Sequence, residues 1–343
     1  MKETILSIQS PLGPPTELVQ FSWRGAQPKN TISIVSGVQG NHLNGIYLCS
    51  RLVRFLNSVE SGKEPGYYLK GVIKIIPTTN LSAIQEGKGL CSFHDLDMNL
   101  GFPGNDQGEV PEQIAATVYR QTKGSHFGII LQSGDTHYDD APHLLCLNPD
   151  GLAKNFARSL AIKNAREPKT SSTFRLCLYD QWVDQMITSV ILSAGIPNHL
   201  DIPLCEIILP GLINSLLWSG VLGNDQKKSI KYQLKFNRQS NEQFVISHAG
   251  GFFIPVVKPG SEVKKGQKIC DWDPYTVPVI AETSGIANYV DLVDGVSVAD
   301  KTDEATGISS KIVLDWRSQS KNLDLKPRVT LRDSKDKVVL KAD

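Results

Sequence analysis

The turn Ser36–Gly45 carries the residues of this sequence that are best placed for chemistry. It contains Gln39 and His42, and its three glycines permit positive φ and a close approach of the backbone to a ligand. The β-branched stretch Thr31–Val35 before it predicts a buried strand, and the amphipathic spacing of 45–56 predicts a helix after it. Because α/β folds place their sites at the carboxyl ends of strands, this pattern indicates an active-site turn.

Further strands and helices alternate around this turn. Apolar stretches predict strands at 71–77 and 127–131, and the spacing of 111–122 predicts a helix with Pro111 in its first turn. Short strands are expected on both sides of the turn-rich segment 10–15. This alternation favours an α/β fold with a mostly parallel sheet and helices on both of its faces.

The middle of the chain gives weaker patterns. We predict helical structure within 152–165, a strand at 174–178 and a helix over 182–194. The apolar stretch 202–222 is long enough for a helix, which Pro210 is expected to kink or split.

Composition argues against several function classes. The 343 residues carry a formal net charge of +1, which gives no reason to expect nucleic acid or an anionic membrane as a partner. No apolar stretch approaches the roughly 20 residues that span a bilayer, and we expect no signal peptide because no apolar core follows a basic start. The six cysteines form no CxxC pair and predict reduced core thiols, so we expect a cytoplasmic protein.

After residue 228 the pattern changes to short strands and turns. The segments 252–267 and 279–287 resemble the two halves of a lipoyl-type β-barrel, with glycines at the hairpin turn of the first half. We interpret this barrel as packing and oligomer architecture, and we expect a homo-oligomer. We expect the last residues of the sequence, about twenty in number, to form an edge strand and a frayed tail. The predicted domains are 1–228 (α/β) and 229–343 (β-barrel).

Several stretches, in order, resemble the succinylglutamate desuccinylase/aspartoacylase family, which is related to zinc carboxypeptidases. Residues 37–45 resemble its Gly-x-His-Gly-(Asp/Asn)-Glu-x-x-Gly motif, residues 97–104 its Asp-x-Asn-Arg-x-Phe-Pro-Gly motif, and residues 130–134 its Asp-Leu-His-(Ser/Thr)-Gly motif. The last helix of the family's hydrolase domain is matched at 194–197, 211–214 and 220–222. The resemblance implies a zinc-carboxypeptidase-like α/β fold followed by a second, β-barrel domain.

The family's chemistry implies a zinc ion held by His, Glu and His, with a bound water whose pKa falls to about 7. In this chain the three ligand positions hold Gln39, His42 and Gln132. A glutamine oxygen is a poor partner for Zn²⁺, which favours imidazole, thiolate and carboxylate. A second family glutamate shuttles the proton. Glu206 is the candidate for that role in its region, although it could belong to the closing helix.

The family's substrate clamp is also altered. Leu100 replaces one family arginine, and Gly89 stands near the place of another. Lys88 could offer a substrate only a point charge, without the bidentate fork of arginine. Asp97 and Asn99 are kept and could orient the loop by hydrogen bonds.

Two interpretations of the metal site stay open. In the first, Gln39, His42 and Gln132 hydrogen-bond to one another where the family holds its zinc. In the second, His42 contributes to a relocated metal site together with some of the nearby histidines and aspartates, namely His94, Asp95, Asp135, His137 and His143. An Asp/His-rich loop of this kind is more often a solvated rim.

Three functions follow from these interpretations. The first is a degenerate family member, a pseudoenzyme with a binding, scaffolding or regulatory role. The second is an active, metal-dependent hydrolase of an N-acyl amino acid or a related amide or ester. A small-molecule ligand fits both. The third is a binding module that works through its barrel.

Overall fold

The chain forms two compact units, the first made of 1–133 and 142–236 and the second of 134–141 and 237–343. A computed structural model describes residues 1–9, 15–26, 28–91, 97–134, 138–139, 141–146, 151–167, 177–226, 235–238, 243–246, 252–273, 277–280, 285–290, 298–302, 309–313 and 328–333.

The first unit combines a large sheet with helices. Its strands are β1 (Lys2–Ile8), β2 (Thr16–Arg24), β3 (Thr31–Ser36), β4 (Tyr67–Leu69), β5 (Val72–Ile76), β6 (Phe127–Gln132), β8 (His143–Leu145), β9 (Asn164–Glu167), β10 (Thr188–Ser193), β11 (Leu222–Asn224) and β12 (Lys235–Arg238). Its helices are α1 (Leu43–Glu60), α2 (Leu81–Glu86), α3 (Val110–Thr122), α4 (Gly151–Ser159), α5 (Leu178–Asp184) and α6 (Ile202–Trp218), and a 3₁₀ helix covers Met98–Gly101.

Nine of these strands form one sheet in the order β1-β2-β5-β3-β6-β10-β8-β9-β12. The central neighbours β5, β3, β6 and β10 run parallel, whereas β1, β2 and β8 pair antiparallel with the strands beside them toward the centre. Ser36 of β3 lies beside Leu131 of β6, and Gln132 of β6 lies beside Ser193 of β10. The predicted mostly parallel sheet is confirmed, and its central strands end at one common edge.

Helices cover both faces of this sheet because both sets of alternating side chains are apolar. On one face, Ile129 and Val190 belong to a buried cluster with residues of α1, α4 and α6. On the other face, Ile130 and Ile191 belong to a cluster with residues of α3 and α5. Trp182 of α5 is fully buried there. The two-faced core explains why the central strands are continuous apolar runs.

The helix predictions have mixed outcomes. The predicted helices at 45–56 and 111–122 are confirmed as α1 and α3, each slightly longer than expected. The predicted helix over 182–194 is wrong, because this stretch ends α5 and then forms β10. The apolar stretch after residue 201 forms α6, which runs through Pro210 without interruption.

One predicted strand and one predicted helical stretch near the middle also differ from the structure. Residues 174–176 of the strand predicted at 174–178 lie outside the described residues, and Leu178 begins α5. Within 152–165, α4 is confirmed, but the end of this stretch enters β9.

The second unit consists of short strands in its described part. These strands are β7 (Tyr138–Asp139), β13 (Gln243–Ile246), β14 (Phe252–Pro255), β15 (Glu262–Val263), β16 (Lys268–Asp273), β17 (Val277–Ile280), β18 (Gly285–Val290), β19 (Val298–Thr302), β20 (Ser309–Val313) and β21 (Arg328–Asp333). Gly260 and Gly266 adopt positive φ at the predicted hairpin turns. β21 lies between β13 and β18, so the expected edge position is wrong. Closure of these strands into a barrel stays a prediction.

All six cysteines lie within the described residues, where they are buried and form no disulfide. This confirms the prediction of core thiols. None of the helices that the structure describes is long and apolar enough to cross a bilayer.

Replacing Gly45 by alanine tests how closely α1 packs on the sheet. An alanine Cβ would lie 2.5 Å from both the Leu131 carbonyl oxygen and Ser36 Oγ. Helix propensity favours alanine by about 1 kcal/mol, but overpacking costs about 1–3 kcal/mol, and the clash here is partly with the backbone of β6. We expect the free energy of unfolding in urea to fall by at least about 1 kcal/mol. In the matched control Gly101→Ala, the new Cβ meets nothing within 4 Å. A Gly45→Ala protein as stable as that control would contradict the packing.

Candidate functional site

Hydrogen bonds join the loops that follow β3 and β5 at the carboxyl edge of the sheet. The Asn80 N–H donates to the Gly37 carbonyl at 2.7 Å, and the Thr79 hydroxyl donates to the Ser36 carbonyl at 2.8 Å. Gly37 has a φ of +66°, a left-handed conformation that favours glycine. The turn 36–45 is therefore held against the neighbouring strand from its start.

The buried amide of Asn44 ties the start of α1 to the same edge. Its Nδ2 donates to the Ala194 carbonyl at 3.2 Å and to Ser133 Oγ at 3.4 Å, and its Oδ1 accepts from the Asp201 N–H at 2.8 Å. One side chain thus links α1 to the ends of β6 and β10 and to the start of α6. Asn44 was not among the residues predicted for the site, although it lies on the same buried face of α1 as Leu48, four residues further on.

All three positions that correspond to zinc ligands in the resemblance lie at this edge. Gln39 and His42 follow β3, and Gln132 ends the adjacent strand β6. Gln39 Nε2 donates to Asp97 Oδ2 at 3.3 Å. The expected hydrogen bonds among Gln39, His42 and Gln132 are not among the side-chain bonds of the described residues. The structure instead pairs Gln39 with the acidic residue that begins the 97–104 motif.

Asp97 also caps the 3₁₀ helix of that motif. Its Oδ1 accepts from the Asn99 N–H at 2.9 Å. This hydrogen bond helps to orient the loop, as expected from the sequence. Burial raises the pKa of the Asp97 carboxyl, and the hydrogen bonds from Asn99 and Gln39 oppose that rise. The carboxylate is thus held by two neutral donors in a partly buried place.

His42 precedes α1 as its N-cap residue, but its imidazole makes no capping hydrogen bond. The side chain is only 7% exposed. Burial lowers the pKa of His42 to about 4, because the charged form is poorly solvated there. The imidazole is therefore neutral at pH 7, and one of its ring nitrogens is a hydrogen-bond acceptor.

Asn41, next to His42, has a side-chain oxygen that is closed off from solvent. No described residue donates a hydrogen bond to this Oδ1. The side chain lies beside Gly89: a Cβ added to this glycine would be 3.2 Å from Asn41 Oδ1. An unpaired buried acceptor of this kind is uncommon in folded proteins and calls for an explanation.

Glu206, predicted as the proton-shuttling carboxylate, lies within α6, the alternative that the sequence left open. Its Oε1 accepts from Arg51 Nε at 2.7 Å and from the Tyr47 hydroxyl at 3.0 Å, and its Oε2 accepts from a second Arg51 nitrogen at 3.1 Å. The Arg51 guanidinium holds the pKa of Glu206 below its usual range. These contacts join α6 to α1, and none of them involves Gln39, His42 or Gln132.

The remaining clamp residues face solvent. Lys88 is exposed and forms an ion pair with Glu86 at 2.9 Å. Leu100, in the place of a family arginine, is 41% exposed. A single exposed lysine that already has an acidic neighbour is a weak anion site.

Only some of the residues suggested for a relocated metal site lie in the part of the chain that the structure describes. His94, Asp95, Asp135 and His137 lie outside the described residues. His143 begins β8 opposite Ser193, at the end of β10 and thus near the same edge. No group of three or more His, Cys, Asp or Glu that could hold a metal ion occurs among the residues that the structure describes.

The side chains at the three ligand positions do not fit a zinc ion of the family type. Gln39 and Gln132 offer only neutral amide oxygens, and the Gln39 amide nitrogen is oriented by Asp97. His42 offers one imidazole. Structural and catalytic zinc sites use at least three imidazole, thiolate or carboxylate ligands. His42 is one such ligand, so these positions lack two of the three.

A family model matches the part of the chain that contains this edge. Residues 28–140 match the model of the succinylglutamate desuccinylase/aspartoacylase catalytic domain. The matched segment contains the turn 36–45, Asp97 and Gln132. The resemblance stated from the sequence is confirmed.

Solved structures of similar fold include an aspartoacylase family protein from Mesorhizobium loti, with 18% identity, a TM-score of 0.62 and coverage of 94% of this chain and 91% of that chain. A succinylglutamate desuccinylase/aspartoacylase from Rhodobacter sphaeroides has 17% identity, a TM-score of 0.62 and coverage of 88% and 90%. A metallo-carboxypeptidase from Burkholderia cenocepacia has 11% identity, a TM-score of 0.50 and coverage of 64% of both chains. These likenesses concern the fold, and they confirm a carboxypeptidase-like α/β architecture.

The buried imidazole of His42 predicts a pH dependence of stability. Its pKa is about 4 in the folded chain and 6.5 in the unfolded chain, so between these values the unfolded chain binds more protons. The free energy of unfolding should therefore fall with falling pH across this window, with a contribution from His42 of at most about 1.4 kcal/mol per pH unit. In His42→Gln this part of the slope should vanish.

Chemical unfolding at pH 4.5, 5.5, 6.5 and 7.5 would measure this slope. His199→Gln, which removes an exposed imidazole, is the matched control and should follow the wild-type curve. If His42→Gln also follows it, the imidazole is not buried in neutral form.

Glu206→Gln tests whether this carboxylate links helices or serves the edge. The change removes the charge that pairs with Arg51, so we expect a loss of stability smaller than that of Gly45→Ala, and one that shrinks at high salt. Chemical unfolding at low and at high salt would measure this loss. A variant of wild-type stability at low salt would show that Glu206 does not link the two helices.

Proposed function

We propose that this chain, which matches the model of the succinylglutamate desuccinylase/aspartoacylase catalytic domain over residues 28–140, is a zinc-free binding protein with a regulatory role. The ligand site is the carboxyl edge of the sheet, around Gln39, His42, Asp97 and Gln132. The protein binds a small molecule there and does not hydrolyse it by the family's zinc chemistry.

The hydrogen bond from Gln39 to Asp97 is the observation that carries this proposal. A carboxylate in this place would orient an imidazole at position 39 toward a metal, as carboxylates commonly do behind zinc-ligating histidines. Here it holds a neutral amide, whose remaining oxygen is a weak zinc ligand. Asp97 is thus in place, but the side chain that it orients at position 39 is an amide instead of an imidazole.

Hydrolysis of an amide at this edge lacks an activated nucleophile. Zinc chemistry depends on lowering the pKa of a bound water from 15.7 to about 7, which this donor set does not support. Glu206, the candidate general base, accepts hydrogen bonds from Arg51 and Tyr47 on α1. The predicted general base is thus bonded to α1 and makes no contact with Gln39, His42 or Gln132 among the described residues.

Binding needs a preformed site, and the edge has one. Asn44 fixes the start of α1 through three hydrogen bonds to main-chain and hydroxyl groups. Gln39 and Asp97 hold each other, and both are partly exposed and so within reach of a ligand. Because the frame is ordered before a ligand arrives, little conformational entropy is lost on binding.

A relocated metal site is the second candidate function, and the position of His143 is what favours it. This histidine lies opposite Ser193 at the end of β10, two strands from Gln132 in the sheet. Together with His42 it would supply two imidazoles at one edge. This candidate would make the chain a metal-dependent hydrolase of an N-acyl amino acid or a related amide or ester.

Metal analysis of protein purified without chelator separates the two candidates. We expect no stoichiometric zinc in the wild type and no hydrolysis of N-acyl amino acids with added zinc. The triple variant Gln39→His, His42→Glu, Gln132→His rebuilds the family's ligand set, so we expect it to bind about one zinc per chain. Asp97 is in place to orient the new imidazole at position 39.

The matched control is the triple variant Gln39→Asn, His42→Gln, Gln132→Asn, which changes the same positions without adding zinc ligands and should bind none. Stoichiometric zinc in the wild type that disappears in His42→Ala or His143→Ala would overturn the binding proposal and support the relocated metal.

A further inference from the structure

We infer that the outer side of α6 binds the surface of an anionic lipid bilayer, with the helix lying in the plane of that surface. This partner is separate from the ligand of the carboxyl edge, so the inference goes beyond the proposed function. It rests on the apolar character of one side of α6 and on cations of the two helices that α6 contacts.

The outer side of α6 is apolar, although the solvent-facing side of a helix is normally polar. All five exposed residues of this helix are apolar, namely Ile202, Pro203, Ile207, Pro210 and Trp218. Ile207 is 76% exposed. The half-buried residues of the helix are apolar as well, apart from Glu206. A helix that is apolar on all sides is normally covered on all sides, so this side calls for a partner surface.

The apolar side extends along the whole helix. α6 has 17 residues and is therefore about 26 Å long, with Ile202 at its start and Trp218 at its end. The Trp218 ring packs against Phe127 and Phe156, with centroids 5.8 Å apart in each pair, and is still 40% exposed. Tryptophan is enriched where membranes meet water, because its ring is apolar and its N–H is polar. This length and composition suit a helix that lies at a bilayer surface.

α6 contacts two neighbouring helices that carry cations. It is joined to α1 by the ion pair between Arg51 and Glu206, and to α4 by a hydrogen bond of 2.6 Å from Asn214 Nδ2 to the Ser159 carbonyl. All three helices contribute to the buried cluster on the same face of the sheet. Their exposed sides therefore point away from the sheet together.

The charges of this helix layer are mainly positive. Arg54 of α1 and Arg158 of α4 are exposed, and neither forms an ion pair with another described residue. The sequences of α1, α4 and α6 contain four basic residues and two acidic ones, and the acidic Glu206 is already paired with Arg51. The layer thus presents Arg54 and Arg158 beside an apolar helix, a combination that complements anionic lipid headgroups.

A second copy of the chain fits this side less well than a bilayer does. Two copies that met through their α6 helices would bring the same cations together, and like charges in an interface oppose binding. A fluid bilayer also adapts to a convex helix, whereas a protein partner needs a complementary shape. The net charge of +1 does not reveal this surface, because it sums over residues on all sides of the chain.

Vesicle binding by the full-length chain tests the inference. Co-sedimentation at low salt would measure binding to vesicles of pure phosphatidylcholine and to vesicles that also contain phosphatidylglycerol. We expect saturable binding to the mixed vesicles and little binding to pure phosphatidylcholine. Added salt should weaken binding, because it screens the attraction between the cations and the anionic lipid.

Ile207→Gln puts an amide on the apolar side at a largely exposed position, so we expect binding to weaken at least about tenfold. Arg54→Gln and Arg158→Gln should each weaken it about fivefold. Met186→Gln is the matched apolar control, because Met186 is 91% exposed and follows α5 on the other face of the sheet. Arg120→Gln, on α3 of that other face, is the matched charge control. Both controls should bind like the wild type.

Three results with vesicles would each overturn the inference: no binding to the mixed vesicles, equal binding to both vesicle types, or binding that Ile207→Gln leaves unchanged. Sedimentation velocity without vesicles adds a fourth. A wild-type dimer that Ile207→Gln dissociates would show that a second copy covers this side. The proposed function would stand in each case, since it concerns the carboxyl edge.

Discussion

The buried amide of Asn44 is the contact on which the carboxyl edge depends. A side-chain amide without solvent is costly unless its donors and acceptor are paired. Asn44 meets this demand by bonding to the ends of β6 and β10 and to the start of α6. The same bonds fix where α1 begins, and with it the turn 36–45. None of these bonds involves the side chains at positions 39 and 42.

A frame that is independent of its ligand positions can keep its shape while its chemistry changes. Gln39 is hydrogen-bonded to Asp97. The neutral amide does not compensate the charge of Asp97 as a cation would, and burial of the carboxyl raises its pKa. Amides thus stand at positions 39 and 132, where the resemblance puts imidazoles, and the Asp97 carboxylate is bonded to the first of them. The charge of the site follows from a few side chains, and its position follows from the fold.

Much of the fold could be predicted because its signals are local. β3, β5 and β6 are short β-branched or apolar runs bounded by turns, and α1 and α3 have clear helical spacing. The prediction of a helix where β10 forms is wrong because Val190, Ile191 and Leu192 are all buried, on alternating faces of the sheet. A run that is apolar at every position has neither the period of a strand nor that of a helix. Its pairing with β6 on one side and β8 on the other decides its structure.

The site was predictable as a place but not as a set of contacts. Glycine spacing and strand ends located the turn 36–45, yet Gln39 and Asp97 are 58 residues apart in sequence. Asn44 and Ala194 are 150 residues apart. Glu206 shows the same limit: its acidic character suggested acid–base chemistry, but α6 packs on α1 and brings it to Arg51. Whether a polar residue serves chemistry or packing is decided by its neighbours in space, and at this edge those neighbours are distant in the chain.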